Sequence, residues 1–99
     1  ATASAQNLGF MRESVMASIT REDAALLEQN YKAALEQPDG HTSTWTNPRT
    51  GHSGTATPLR AAKVKDMSCR VLEMSNTAGG RTERSEITFC KTKDGWRAV

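Results

Sequence analysis

The sequence predicts an α+β fold, in which one or two N-terminal helices pack on an antiparallel sheet of four to five strands. Helical spacing of apolar residues dominates the first third of the 99-residue chain. From Gly40 onward the pattern changes to Thr-rich alternation broken by turn residues, which is typical of short antiparallel strands. The order is therefore helix first and sheet afterwards, within one small domain.

The composition excludes several classes of protein. Thirteen Lys and Arg are scattered among eleven Asp and Glu, which gives a formal net charge of only +2. No basic stripe of the kind that binds nucleic acid results. No window approaches the roughly 18 apolar residues of a membrane-spanning helix. We therefore expect no nucleic-acid partner, no membrane span and no cofactor.

Residues 1–19 are predicted to be an N-terminal tether or a short amphipathic helix over residues 8–18. Four apolar residues recur there at spacings of three and four: Leu8, Met11, Val15 and Ile19. Gly9 weakens the helical prediction. The domain proper is predicted to span residues 20–99.

The main helix is predicted over residues 21–36. Thr20 is a suitable N-cap, and Asp23 stands at the position where a capping box places its acidic residue. Pro38 and Gly40 follow and stop the helix. Its apolar face is formed by three residues: Leu27, Tyr31 and Ala34.

The strands are predicted as two hairpins and a short last strand. The first hairpin joins residues 41–46 to 53–61 through a loop that contains Asn47, Pro48 and Gly51. Pro58 predicts that the strand over 53–60 lies at a sheet edge. The second hairpin joins 63–77 to 81–92 through a Gly79-Gly80 turn. A strand at 96–99 follows.

A two-residue turn at Gly79 and Gly80 fixes the register of the second hairpin. Residues whose numbers sum to 159 then face each other, so that Cys69 faces Cys90 at a non-hydrogen-bonded position. Opposite Cα atoms at such a position are about 4.5 Å apart, which a disulfide can span. A three-residue loop would misalign the cysteines. Since the spacing matches no Cys-x-x-Cys redox or zinc motif, we predict a disulfide and an oxidising compartment.

The same register divides the hairpin into two faces. Leu72, Met74, Ile87 and Phe89 form the predicted core face, on which the helix packs. Arg70 falls opposite Phe89 on that face, and its charge is expected to stack on the ring or to reach a backbone carbonyl. The other face holds the cysteines, Val71 with Thr88, and Glu73 with Glu86.

A set of residues distributed along the chain carries a resemblance to a known family. These residues are Trp45, Asn47, Pro48, Thr50, Gly51, Gly54, Thr57, Pro58, Cys69, Arg70, Gly79, Gly80, Arg81, Cys90, Asp94, Gly95 and Trp96. Over roughly residues 20–99, the set resembles the C-terminal domain of the bacterial 17 kDa surface antigen family. The resemblance implies a Gram-negative envelope protein of the periplasm or outer membrane, secreted through a signal peptide and often lipid-anchored, with no catalytic motif to transfer.

The first hairpin loop is the predicted contact site, with Arg49 at its tip, because loops on a rigid scaffold commonly carry binding. The alternative is that its residues only make the turn. Trp45 and Trp96 are predicted to be mainly core residues. The candidate binding residues are Trp45, Asn47, Arg49, Thr50 and His52.

Three chemical hypotheses remain beside that prediction. His41, His52 and Asp39 suggest a metal site, although the first hairpin separates the two histidines, and surface imidazoles are the simpler interpretation. Ser43, His52 and Asp39 compose a triad on paper, without nucleophile-elbow spacing. Glu73 and Glu86 are the carboxylate pair of a glycosidase, or else an exposed pair of like charges.

We expect a non-enzymatic interaction or structural module that binds a protein or an envelope component. The alternatives are a periplasmic or secreted inhibitor of a cell-wall hydrolase, which an Arg49 protruding from an ordered loop would favour, and weak glycosidase activity.

Overall fold

The computed structural model describes residues 14–99, which form one helix and a five-stranded antiparallel sheet. The α+β prediction is confirmed. Of the helix predicted over 8–18, only one 3-10 turn, Val15–Ser18, lies in the described part, and the rest falls outside it. The elements that follow are α1 Arg21–Ala34, β1 Ser43–Asn47, β2 His52–Val64, β3 Met67–Ala78, β4 Arg81–Thr92 and β5 Gly95–Ala98.

A capping box starts α1 where the sequence predicts it. The hydroxyl of Thr20 accepts a hydrogen bond from the Asp23 amide at 3.0 Å, and the Thr20 amide donates to Asp23 Oδ2 at 2.9 Å. The helix ends at Ala34, two residues earlier than predicted. The amides of Glu36 and Gln37 there turn back to carbonyls three residues earlier, which tightens the last turn.

Arg70 closes the C-terminal end of the helix from the sheet. Its Nη1 donates to the carbonyls of Leu35 and Gln37 at 2.6 and 2.7 Å, and its Nη2 donates to Asp39 Oδ1 at 2.5 Å. The predicted reach to a backbone carbonyl is therefore present. A cation at the negative end of the helix dipole also stabilises it.

The strands form a meander in the order β1-β2-β3-β4-β5. The sequence prediction missed one turn, since it ran a strand through residues 63–77. Lys65 and Asp66 form a two-residue hairpin turn there, both with positive φ (49° and 68°). A lysine seldom adopts this conformation, and no glycine marks the turn, so the pattern gave no signal.

The strand β2 lies between β1 and β3 and is not an edge strand as a whole, but Pro58 falls in the stretch of β2 beyond β1, which has no strand on that side within residues 14–99. The strand β2 pairs with β3 along its length and with β1 only over residues 52–56. Its register with β3 shifts between Pro58 and Arg60. A bulge is one of the few places where a sheet accommodates proline.

The β3–β4 hairpin has the predicted register, with Cys69 opposite Cys90 and Leu72 opposite Ile87. The Cys69–Cys90 disulfide is present. It lies with buried Val71 on the face away from the helix, while Tyr31 of α1 stacks on Phe89 of the core face with ring centroids 4.8 Å apart. The core cluster between helix and sheet consists of Ala34, Leu35, Ala56, Leu72, Met74 and Phe89.

Removing the crosslink should lower stability without changing the fold. A disulfide that closes a loop of about 20 residues contributes roughly 3 kcal/mol, which corresponds to roughly 10 to 20 °C in Tm for a domain of this size. Thermal unfolding followed by circular dichroism would compare the oxidised protein with the Cys69→Ala/Cys90→Ala double variant. The reduced wild-type protein is the control, since it keeps the sulfur atoms in place. A loss of less than about 2 °C in both would contradict the structural role.

Candidate functional site

A buried carboxylate joins the start of the helix to the first hairpin. The side chain of Asp23 is fully buried, and each of its oxygens accepts two hydrogen bonds. Oδ2 accepts from the Thr20 amide at 2.9 Å and from His52 Nδ1 at 2.7 Å. Oδ1 accepts from Asn47 Nδ2 at 2.7 Å and from Thr50 Oγ1 at 2.9 Å. We call these five residues the Asp23 cluster.

The local folding of two elements brings the cluster together. The capping box places Asp23 in the first turn of α1, where the positive end of the helix dipole favours a negative charge. Asn47 ends β1 and His52 begins β2, and the two are direct partners in the sheet. The hairpin loop between them returns Thr50 to the same carboxylate. The helix N-terminus and the hairpin therefore share one anion.

The environment of Asp23 keeps it ionised. Burial by itself raises the pKa of this carboxyl, because a charge is poorly solvated in the interior. The hydrogen bonds from the Thr20 amide and the three side chains lower the pKa by more, so that it lies well below the ordinary value. An ionised carboxylate only accepts hydrogen bonds, and His52 Nδ1 must therefore carry a hydrogen.

The same cluster fixes the loop over residues 47–51 from the inside. The Asn47 side chain accepts from the Arg49 amide at 3.1 Å, and its backbone carbonyl accepts from the Gly51 amide at 2.8 Å. Gly51 has φ +78°, a conformation that glycine adopts at little cost. Thr50 Oγ1 also accepts from the His52 amide at 3.2 Å. The loop is therefore held at both ends and at its centre.

Arg49 is the member of the predicted site that faces solvent. Its side chain is 80% exposed, and its Nε lies 3.6 Å from Glu22 Oε1, in a half-exposed ion pair. A pair of this kind stabilises a protein very little, so the guanidinium can exchange partners at low cost. The loop thus offers one cation on a well-fixed backbone.

Trp45, in contrast, belongs to the core on the helix side. It is 5% exposed, and its Nε1 donates to Asn76 Oδ1 at 3.2 Å. Gly54 lies opposite Trp45 in β2, and a Cβ on that glycine would collide with both groups. The structure therefore brings Asn47, Thr50 and His52 together around Asp23, leaves Arg49 exposed and buries Trp45.

The other groups considered from the sequence do not converge. Asp39 pairs with Arg70, whereas His52 pairs with Asp23. Ser43 lies at the opposite end of β1 from Asn47, the strand partner of His52. Within residues 14–99, no three His, Cys, Asp or Glu side chains are arranged to hold a metal ion.

Glu73 and Glu86 lie directly opposite each other on β3 and β4, as the register predicts. Glu86 Oε1 also accepts from Arg60 Nη2 at 3.4 Å, on the sheet face away from the helix. Both groups of that ion pair are more than half exposed. The arrangement is that of a solvated sheet face.

The sequence pattern identifies Asp23 only as part of a helix cap and does not reveal that it is the partner of His52. Its capping-box position was visible in the pattern, but the second half of the interaction comes from 29 residues further along the chain. A run of one Asn, one Thr and one His around a turn is too common to identify a carboxylate partner. The pairing follows from the packing of the helix against the hairpin.

Fold and site together define a small disulfide-linked α+β domain that presents the β1–β2 loop, which the Asp23 cluster holds in place by hydrogen bonds. The family model of the 17 kDa outer membrane surface antigen matches residues 28–97 of this chain. The chain therefore belongs to that family, as the resemblance of its sequence implies. This membership indicates a cell-surface or outer-membrane protein.

Two curated relatives carry the name 17 kDa surface antigen, one from Rickettsia bellii strain RML369-C and one from Rickettsia bellii. Each is 34% identical to this chain over 86 residues, which cover 84% of the chain and 54% of the relative. The chain thus spans about half the length of the curated relatives it matches. No solved structure matches it. In the part that the structure describes, no helix has the length and apolar character needed to cross a membrane.

Replacing the buried carboxylate by an amide should destabilise the protein strongly. In Asp23→Asn an NH2 group replaces one of the two carboxylate oxygens. Each oxygen accepts from two donors, so the NH2 group faces two other donors in either position. We expect a loss of roughly 2 to 4 kcal/mol in the free energy of unfolding, measured by urea denaturation near neutral pH. Glu28→Gln is the matched control, because its exposed side chain lies on the same helix. That control should change stability by less than about 0.5 kcal/mol.

The Asp23→Asn variant also leads to a prediction about how stability depends on pH. Folding lowers the pKa of Asp23 below the unfolded value of about 3.9. Its stabilising contribution is therefore fully present above that pH and is lost as the pH falls below about 4. The stability difference between wild type and Asp23→Asn should narrow as the pH is lowered from about 5 to about 2. A difference that stays constant over this range would show that the charge of Asp23 contributes nothing.

Proposed function

We propose that this domain is a non-enzymatic interaction module of the Gram-negative cell envelope, in the periplasm or at the outer membrane. It binds a protein or another envelope component through the β1–β2 loop over residues 47–51. One observation carries the proposal: Arg49 projects into solvent from a loop whose backbone the Asp23 cluster holds in place. Membership of an outer membrane surface antigen family supports the location.

A fixed loop suits recognition because little conformational entropy is lost when it binds. The polar side chains of Asn47 and Thr50 are already occupied by Asp23. The charged group that the loop presents outward is the Arg49 guanidinium. This planar group binds carboxylates and phosphates through paired hydrogen bonds. The partner we propose displays an anionic group of that kind.

The arrangement of the Asp23 cluster favours a binding role over a catalytic one. The His52–Asp23 pair resembles the part of a catalytic triad in which a carboxylate orients a histidine. The serine considered from the sequence, Ser43, stands at the far end of β1. Four donors occupy both oxygens of the Asp23 carboxylate, which fits a structural role in holding the surrounding backbone in place.

The test is binding of the labelled protein to three isolated envelope fractions: outer-membrane vesicles, peptidoglycan sacculi and periplasmic proteins. We expect one fraction to retain the wild type and Arg49→Ala to weaken that binding about tenfold or more, with partial recovery in Arg49→Lys. Lys63→Ala is the matched control, since this exposed cation lies near the far end of β2.

Two results would contradict the proposal. Equal retention of wild type and Arg49→Ala would remove the loop from the interface. Failure of every fraction to retain the wild type at about 100 μM would remove the interaction role itself. The melting temperatures of the variants, measured in parallel, separate lost binding from lost folding.

A second candidate is a protein inhibitor of a cell-wall hydrolase. The observation that favours it is the same protruding Arg49 on an ordered loop, which suits insertion into an acidic active-site cleft. Lysozyme-type muramidases and wall amidases, assayed with up to about 50 μM of the domain, should be inhibited by the wild type and spared by Arg49→Ala. Undiminished hydrolysis would exclude this candidate.

The glycosidase hypothesis stays a sequence prediction that rests on the opposition of Glu73 and Glu86 alone. Surface pockets of about 360 to 460 Å³ do exist, but they lie against the helix and are lined by other residues.

A further inference from the structure

The outer edge of the first half of β4 has no neighbouring strand within residues 14–99. The strand extends over Arg81–Thr92, whereas β5 pairs only with residues 89–92. The Val99 amide donates to the Thr88 carbonyl at 3.0 Å and ends the covered part. Residues 82–87 therefore pair with β3 on one side and have no described strand on the other.

The backbone groups that point outward follow from the hairpin turn. Ala78 and Arg81 flank the two-residue turn and form a hydrogen-bonded pair, so the odd-numbered residues of β4 bond to β3. The amides and carbonyls of Thr82, Arg84 and Glu86 then point away from β3. The bond from Val99 to the carbonyl of Thr88, an even-numbered residue, agrees with this.

Two other open stretches of the sheet are protected and β5 is only four residues long, whereas the open stretch of β4 is straight. Along β2 the stretch beyond β1 contains Pro58 and a bulge, and the Pro58 carbonyl accepts from the Gly40 amide at 2.8 Å. At the β1 edge, Asn30 of α1 donates to the Ser43 carbonyl at 3.0 Å. The β4 register runs without a shift from the turn to the disulfide. Proline, bulges and covering groups are the usual protections of an edge. Within residues 14–99, the open stretch of β4 carries charged side chains, and the 3-10 turn contacts it at the Glu83 carboxylate, which accepts from Ser14 Oγ and the Val15 amide.

We propose that the β4 edge pairs with the same edge of a second copy of this chain, antiparallel and centred on Ser85. A twofold axis perpendicular to the sheet joins only residues that lie on the same face, so their numbers must have an even sum. Centring on Glu83, Arg84 or Glu86 would place identical charges opposite each other. Centring on Ser85 places Arg84 opposite Glu86 of the second copy, and does so twice.

This register also offsets a repulsion between like charges within each copy. Glu86 faces Glu73 across β3 and β4, and the Nη2 of the exposed Arg60 lies 3.4 Å from Glu86 Oε1. In the paired sheet, Arg84 of the second copy lies next to Glu86 on the same face. Arg84 of one copy and Glu86 of the other form a backbone-hydrogen-bonded pair, because the backbone amide and carbonyl of both residues point outward from β3. Because the contact is short, the association is weak and depends on concentration.

The test is sedimentation of the full chain between about 10 μM and 1 mM. We expect wild type to self-associate, and Arg84→Glu and Glu86→Arg each to weaken self-association about tenfold, because both cross-strand pairs become repulsive. An equimolar mixture of the two variants should form a heterodimer. One variant then carries two acidic side chains at positions 84 and 86, and the other carries two basic ones.

The control is Lys63→Glu, the same charge reversal at an exposed position of β2, which should leave self-association unchanged. Melting temperatures verify that each variant folds. A full chain that stays monomeric up to about 1 mM would overturn the proposal and leave the edge to another occupant. Self-association that ignores both reversals, or a variant mixture that fails to pair, would overturn it as well.

Discussion

The hydrogen bonding of one buried carboxylate is the constraint on which the rest of this structure depends. Asp23 satisfies an orphan amide at the start of the helix and receives three side-chain donors from the β1–β2 hairpin. A buried anion is tolerated only when its hydrogen bonds are made, so the helix and the hairpin are stable in this arrangement together. The exposed loop that we propose as the contact surface inherits its shape from that requirement.

Opposite charges lie at the two ends of the helix, and hydrogen bonds join each of them across the boundary between helix and sheet. Asp23 lies at the positive end of the helix dipole, and Arg70 of β3 donates to the carbonyls at the negative end. Between them the apolar side chains of α1 pack on the β3 and β4 residues of the core. The disulfide then joins β3 to β4 on the far face. The disulfide and the bonded helix ends thus supplement a core of modest size, as crosslinks generally do in small domains.

Local patterns predicted most of the fold and only part of the site. The Gly79-Gly80 turn set the register of Cys69 and Cys90 by counting alone, and Thr20 marked the start of the helix. The turn at Lys65 and Asp66 was missed because lysine seldom takes a positive φ and no glycine marks the turn. The partnership of Asp23 and His52 escaped because it arises from tertiary packing, which no spacing within a single sequence encodes. Arg49 was found because a loop tip is a local feature.

The most direct test of the central role of Asp23 is its own titration, followed through the side-chain carboxyl carbon by nuclear magnetic resonance. We expect the Asp23 signal to stay in the ionised position as the pH falls through about 4, the ordinary pKa of an aspartate, and to change only when acid unfolds the chain. A midpoint at about pH 4 in the folded protein would contradict it. In that case the four hydrogen bonds would not hold the charge, and the loop would owe its conformation to another cause.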